Sequence, residues 1–231
     1  DTAEDPRERA FDLSNIKVHH CHPDPRDISL VASALNEARK PVIIAGGAAI
    51  WWGHAEKELQ DLSASLGIPV FNPPWHIKMH DLTHTHNMGL ADIHQNPASK
   101  LIIEESDLVL FVGCSLDYAL DFGDPPLINK NCKTIAVNSS PRELADNHIA
   151  NITVLSDVRA FLSRLKEAAA TVTVDANWAE TIRSSRKDSN KTHEAAATSS
   201  DRPIHPLRLC LDVLRSLGED DYLCIDGGDI Y

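Results

Sequence analysis

At 231 residues, with 42% hydrophobic and 24% charged side chains, the chain can bury the core of one large domain, alone or with attached pieces. Its net charge of −12 excludes a nucleic-acid backbone as the main partner, because neutralising phosphates takes clustered Lys and Arg. No apolar run approaches the ~20 residues that cross a bilayer, so no membrane span is expected. Five scattered cysteines (Cys21, Cys114, Cys132, Cys210, Cys224), with no Cys-x-x-Cys pair, read as small hydrophobes of a reducing, cytoplasmic compartment.

Residues 1–26 are polar, carry Pro6, Pro23 and Pro25, and show no sustained period; they read as a linker wrapping a surface. His19, His20 and His22 with Cys21 suggest a metal cluster on paper. Adjacent ligands in a proline-flanked linker rarely converge on one ion, so the linker reading is taken. Asp27–Arg39 is predicted as a helix with Ile28, Val31, Leu35 and Ala38 on one face, capped by Asp24 or Asp27.

Pro41 then opens a buried strand, Val42–Ala45, followed by Gly46-Gly47, whose tolerance of positive φ suits a sharp turn. From Ala55 the positions Leu59, Leu62 and Leu66 recur at helical spacing, Gly67 stands at the C-terminal stop, and Val70-Phe71 begins the next strand. This is one strand–helix–strand unit, for which a parallel crossover is usual.

Residues 72–96 read as loop. They hold His76, His80, His84, His86 and His94, and two readings stand: a metal site, since the first three are four apart, or a histidine-rich loop facing a substrate or partner. Trp75 reads as packing. A helix over Asn96–Glu105 precedes the clearest buried strand, Asp107–Gly113, which ends on Gly113-Cys-Ser-Leu-Asp117. Ligands of open parallel sheets gather at such strand ends. Asp121–Pro126 reads as loop and Lys133–Val137 as strand. Ser140 is placed to cap a helix starting on Pro141, with Glu143 at the capping-box position. Ile152–Leu155 is the last strand of the series, and Asp157 opens a helix through Val158, Phe161, Leu162 and Leu165.

Five strands (42–45, 70–71, 107–112, 134–137, 152–155) alternating with helices predict an α/β fold with a doubly wound, mostly parallel sheet over 27–170. Residues 171–202 read as a polar linker with one exposed helix around Trp178–Ser185. Ile204–Leu217 is predicted helical. Tyr222–Tyr231 reads as a strand with a glycine turn, the start of a truncated second α/β segment, so both ends read as cuts through a longer protein.

On these residues the chain resembles the central domain of thiamine-diphosphate-dependent enzymes of the acetolactate synthase and pyruvate oxidase type. The resemblance rests on Ala38-Arg-Lys-Pro-Val-Ile-Ile-Ala-Gly-Gly47, on Glu58–Val70, on Asp107–Gly113 and on Val137-Asn-Ser-Ser-Pro-Arg-Glu143. Pro206–Leu217 followed by Ile225-Asp-Gly-Gly-Asp229 resembles the start of that family's diphosphate-binding domain. Leu120-Asp-Phe-Gly-Asp-Pro-Pro126 and Asp226–Asp229 look most like the 2-hydroxyacyl-CoA lyase, benzaldehyde lyase and acetolactate-synthase-like branch.

The resemblance implies a Rossmann-like fold, similar to sirtuin-type nucleotide-binding domains. It also implies a parent enzyme that uses thiamine diphosphate and Mg, with the catalytic glutamate in a missing N-terminal domain and the metal motif in a missing C-terminal one. No catalytic or metal residue is therefore assigned in this chain, which is expected to be catalytically incomplete. The missing domains are its expected partners, in a parent that is a homo-oligomer, dimer or tetramer. Gly227, Gly228 and Asp229 are the implied cofactor-facing loop.

The central domain holds FAD in acetolactate synthase and pyruvate oxidase, ADP in oxalyl-CoA decarboxylase, and nothing in other relatives. The positions implied for such a nucleotide are Gly46, Gly47, Gly113, Ser115, Asn138 and Asp157. Ser115 stands where the family often has Arg after the Gly-Thr/Ser step, and Asn138 where an acidic residue often meets the adenine ribose. Both departures argue for a degenerate site and a scaffold role. Two alternatives stay open beside the lyase or carboligase fragment: a stand-alone module binding NAD, FAD or ADP, and a purely structural domain.

Overall fold

The computed structural model describes residues 20–73, 86–94, 96–147, 149–169, 172, 174–218 and 220–224. Their centre is a six-stranded sheet, all parallel, in the order β3-β2-β1-β4-β5-β6. The strands are β1 (Pro41–Ala45), β2 (Val70–Asn72), β3 (Asn87–Leu90), β4 (Leu108–Val112), β5 (Lys133–Asn138) and β6 (Ile152–Leu155). The helices are α1 (Pro25–Glu37), α2 (Gly47–Ile50), α3 (Glu56–Leu66), α4 (Pro97–Glu105), α5 (Pro141–Asp146), α6 (Val158–Ala168), α7 (Ala176–Ala197) and α8 (Pro206–Ser216).

The central strands β1 and β4 are apolar at every position because both sheet faces are covered, as parallel sheets require. Their side chains alternate between two cores. Ile43, Ala45, Leu108, Leu110, Val112, Ile135 and Val137 face α1, α3 and α6. Val42, Ile44, Val109, Phe111 and Ala136 face α4 and the first turns of α7. A one-residue slip in register would exchange the two sets, so the packing fixes the register.

Most boundaries agree with the sequence reading. Asp24 caps α1 through the Arg26 amide at 2.8 Å, Asn96 caps α4, and Asp157 caps α6 through the Ala160 amide at 2.9 Å. Gly67 ends α3 in the left-handed region at φ 68°.

Four differences stand out. The stretch read as loop contains a sixth strand, β3, at the sheet edge beside β2. Residues 118–123 form 3₁₀ turns rather than open loop, with Asp121 and Phe122 both at positive φ. The helix expected around Trp178–Ser185 runs for 22 residues, and its start is not exposed: Trp178 is 1% and Ile182 3% accessible, both in the second core. Gly46 turns the chain at φ −100°, and neither Gly46 nor Gly47 is at positive φ, so backbone freedom is not what requires them.

The amino end of the sheet is closed by side-chain bonds. The Asp107 carboxylate accepts from the Arg39 and Lys40 amides at 2.7 and 2.9 Å, fixing the entry to β1 beside β4. Trp178 donates from Nε1 to the Pro41 carbonyl at 3.3 Å and carries the Lys40 ammonium 5.3 Å from its ring centroid. The opposite, carboxyl end is therefore the one left for loops and function.

Candidate functional site

Strand order reverses between β1 and β4. In doubly wound sheets that reversal opens a crevice outside the carboxyl ends of the two strands, where ligands bind. Here the crevice position falls on Gly46 and Gly113, two of the residues singled out in the sequence.

Their geometry is that of a closed joint. The Gly46 amide donates to the Val112 carbonyl at 2.9 Å, and the Ala48 amide donates to the Gly113 carbonyl at 3.1 Å. A Cβ on Gly46 would lie 2.4 Å from the Gly113 oxygen and 2.5 Å from the Cys114 Cα. A Cβ on Gly113, which sits at φ +57°, would lie 2.4 Å from the Ala49 nitrogen. Both glycines serve close approach of the chain to itself rather than of a ligand to the chain. Gly47 is the buried first residue of α2, a helix of four residues, and its carbonyl accepts from the Trp51 amide at 2.9 Å.

The remaining positions have intrachain partners too. The Ser115 hydroxyl donates to the Glu143 carboxylate, which brings a negative charge from α5 over the turn after β4. Asn147, buried one helical turn further on, accepts from the Leu116 amide at 3.0 Å and donates to the Cys114 carbonyl at 2.9 Å. Together these two side chains fasten α5 to the β4 turn. The Asn138 Oδ1 accepts from the Ser140 amide at 3.0 Å, folding that side chain onto its own turn. Asp157 caps α6 with one oxygen while the other meets His20 Nδ1 at 3.1 Å. The Asp157 amide donates to the Cys21 carbonyl at 2.7 Å. Asp157 thus ties the incoming segment to the end of β6.

The capping box anticipated at Ser140 is half formed. Ser140 Oγ accepts from the Glu143 amide at 3.4 Å, but the return bond is replaced: Asn138 takes the Ser140 amide and the Glu143 carboxylate goes to Ser115. Sequence reasoning marked Glu143 only as a capping-box residue and did not mark Asn147. Their i,i+4 spacing on one helix face was readable, but their partners lie about thirty residues away.

Cys114 is fully buried, and burial, with Asp117 and Glu143 nearby, pushes its thiol well above the ordinary range. It is a packing residue, not a nucleophile. Among the described residues no group of three or more His, Cys, Asp or Glu is placed to hold a metal ion. His76, His80 and His84 lie outside the described residues, as do Trp75, Gly227, Gly228 and Asp229. His94 is described, and its Nε2 stands 3.7 Å from an Asp121 carboxylate oxygen. No described helix is long and apolar enough to cross a membrane.

A doubly wound α/β unit with a switch point between β1 and β4 defines a broad class of ligand-binding and scaffold domains. Comparison with known proteins narrows it. Residues 28–165, more than half of the chain, match the thiamine pyrophosphate enzyme central domain, and the chain belongs to that family. It is 26% identical to 2-hydroxyacyl-CoA lyase 2 of Danio rerio over 234 aligned residues, covering 94% of this chain and 34% of that protein. It is 29% identical to acetolactate synthase of Mycobacterium leprae over 155 residues, covering 67% of this chain and 24% of that one. Among solved structures, benzoylformate decarboxylase from Polynucleobacter necessarius superposes with a TM-score of 0.56 at 16% identity, over 72% of this chain and 30% of that one. The likeness in structure supports the fold. The chain thus spans about a third or less of the proteins it matches. Nothing in these matches favours a stand-alone nucleotide-binding module.

Proposed function

We propose that this chain is the central part of a thiamine-diphosphate-dependent enzyme that makes or breaks a C–C bond beside a carbonyl. Its nearest chemistry would be that of 2-hydroxyacyl-CoA lyase or acetolactate synthase. The observation that carries the reading is the 94% coverage of this chain by a lyase about three times its length, with the family match at the core of that alignment.

The central domain, read from the sequence as 27–170 after the linker 1–26, takes in the first turns of α7 as well, and the rest of 171–202 leads on to a diphosphate-binding domain that begins at 203. α8 supports that boundary. Ile204, Leu207, Leu209 and Leu214 are all exposed, and none of α8 is buried although it packs beside α7. An amphipathic helix with its apolar side uncovered is suited to a following layer of structure.

Thiamine diphosphate, when bound with Mg, supplies the electron sink that stabilises a carbanion next to a carbonyl. By the resemblance, Gly227, Gly228 and Asp229 are the residues of this chain that would face it. The described residues do structural work. The sheet and its two helical layers hold the chain entering at residue 20 and the helix leaving at residue 206 in fixed relation. His20, Cys21 and Asp157 anchor the former, and α7 carries the latter. The parent protein is read as a cytoplasmic homo-oligomer.

The test is an assay of the complete reading frame's product with thiamine diphosphate and Mg, after their removal, and after their return. Either 2-hydroxyacyl-CoA cleavage or condensation of 2-keto acids is expected, lost on removal and restored on addition. The 231-residue chain alone is expected to catalyse neither. Absence of both activities in the fully loaded protein would overturn the reading.

A further inference from the structure

In those relatives whose central domain holds FAD or ADP the resemblance puts it at the carboxyl end of β1 and β4, and the residues present here do not fit it. We infer that Glu143, held over the β4 turn by Ser115, makes this corner anion-repelling, and that the corner excludes nucleotides by charge as well as by its packed backbone.

Three observations converge. A diphosphate at a strand-end crevice needs backbone amides aimed outward and a cation nearby. The Gly46, Ala48 and Ala49 amides are all taken by carbonyls of the chain: Val112 at 2.9 Å, Gly113 at 3.1 Å and Gly46 at 3.1 Å. The turns 46–54 and 113–117 contain no Lys or Arg. Arg142 is the nearest cation in sequence to Glu143, and its side chain, 89% exposed, is directed to Asp146 at 3.9 Å. In place of a cation the corner has the Glu143 carboxylate, reached from α5 and fixed by the Ser115 hydroxyl. Asp117, in the same turn after β4, is like Glu143 near enough to act on the buried Cys114 thiol. A ribose-binding acceptor is missing as well, since Asn138 Oδ1 is turned onto the Ser140 amide.

The inference concerns this chain alone and does not depend on the proposed activity. Its test is a binding titration of the 231-residue chain with ADP, FAD, NAD and inorganic pyrophosphate, read by equilibrium dialysis and thermal shift. Wild type is compared with Glu143→Gln, which removes the charge with little change in shape, and with Ser115→Arg/Glu143→Gln, which reverses it. Wild type is expected to bind none of the four at millimolar concentration. The double variant is expected to bind pyrophosphate or ADP at least about tenfold more tightly than wild type, with the single variant between them. Saturable binding of a nucleotide by wild type would overturn the inference. So would equal binding by wild type and by variants whose circular dichroism is unchanged. If the double variant does not fold, Glu143→Gln alone decides, through the same comparison with pyrophosphate.

Discussion

Gly113→Ala is expected to destabilise the chain by about 4 kcal/mol, one of the two largest single-site effects argued for in this fold. Two penalties combine there. A side chain at φ +57° costs about 1–2 kcal/mol in the left-handed region. Its Cβ would also meet the Ala49 nitrogen at 2.4 Å and the Ala48 carbonyl carbon at 2.8 Å, backbone atoms that cannot swing aside. Two further variants separate the terms. Gly46→Ala carries the collision without the positive φ and is expected to cost about 3 kcal/mol. Gly67→Ala carries a positive φ of 68° in open space and is expected to cost about 1 kcal/mol. Thermal unfolding reads the series, with about 2–4 °C per kcal/mol for a chain of this size. Equal effects at Gly113 and Gly67 would mean that the β1–β4 joint is not closed as described.

Trp178→Ala is expected to cost about 3–5 kcal/mol, as removal of a large core aromatic does. The ring lies in the second core, holds the Pro41 carbonyl at the start of β1, and sits beneath Lys40. Trp52, 83% exposed, is the control, and Trp52→Ala is expected to change stability by less than about 0.5 kcal/mol. Urea denaturation of both variants reads the contrast. A small effect at Trp178 would place α7 outside the cooperative unit of the sheet, whereas the expected loss would make its first turns part of the central domain.

These two residues also mark what was and was not legible in the sequence. Strands β1, β4 and β5 announce themselves because burial on both faces demands unbroken apolar, β-branched runs. β3 does not: Asn87-Met-Gly-Leu90 has a glycine at φ +79° and, among the described residues, pairs only with β2, through an irregular register. An edge strand held by one neighbour needs no long apolar run, so nothing in its composition sets it apart from loop. α7 is hidden in the sequence for a related reason. Among the described residues of α7 only Trp178 and Ile182, four apart, are buried, and the polar turns after them carry no apolar period. The helix therefore reads as a linker although its start is core.

At the switch-point corner the sequence marks Gly46 for a reason that the structure replaces. Gly46 is required by the nearness of Gly113 and Cys114, not by its own φ, and sequence cannot distinguish these because both demands select glycine. The role of Glu143 was hidden by a local pattern. Ser140 and Glu143 match a capping box, yet the carboxylate has a better partner in Ser115, brought near only when β4 and β5 pair. Asp157 was legible as a helix start, and its hold on His20 and the Cys21 carbonyl was not.

The most direct test is the cofactor content of the complete reading frame's product, purified without added cofactors, then denatured and analysed by mass spectrometry after reconstitution with thiamine diphosphate and Mg. Thiamine diphosphate equimolar with the chain, and no FAD, ADP or NAD in either sample, is the result expected of a thiamine-diphosphate enzyme whose central domain is a nucleotide-free scaffold. Equimolar nucleotide in the purified protein, or failure to retain thiamine diphosphate, would contradict it.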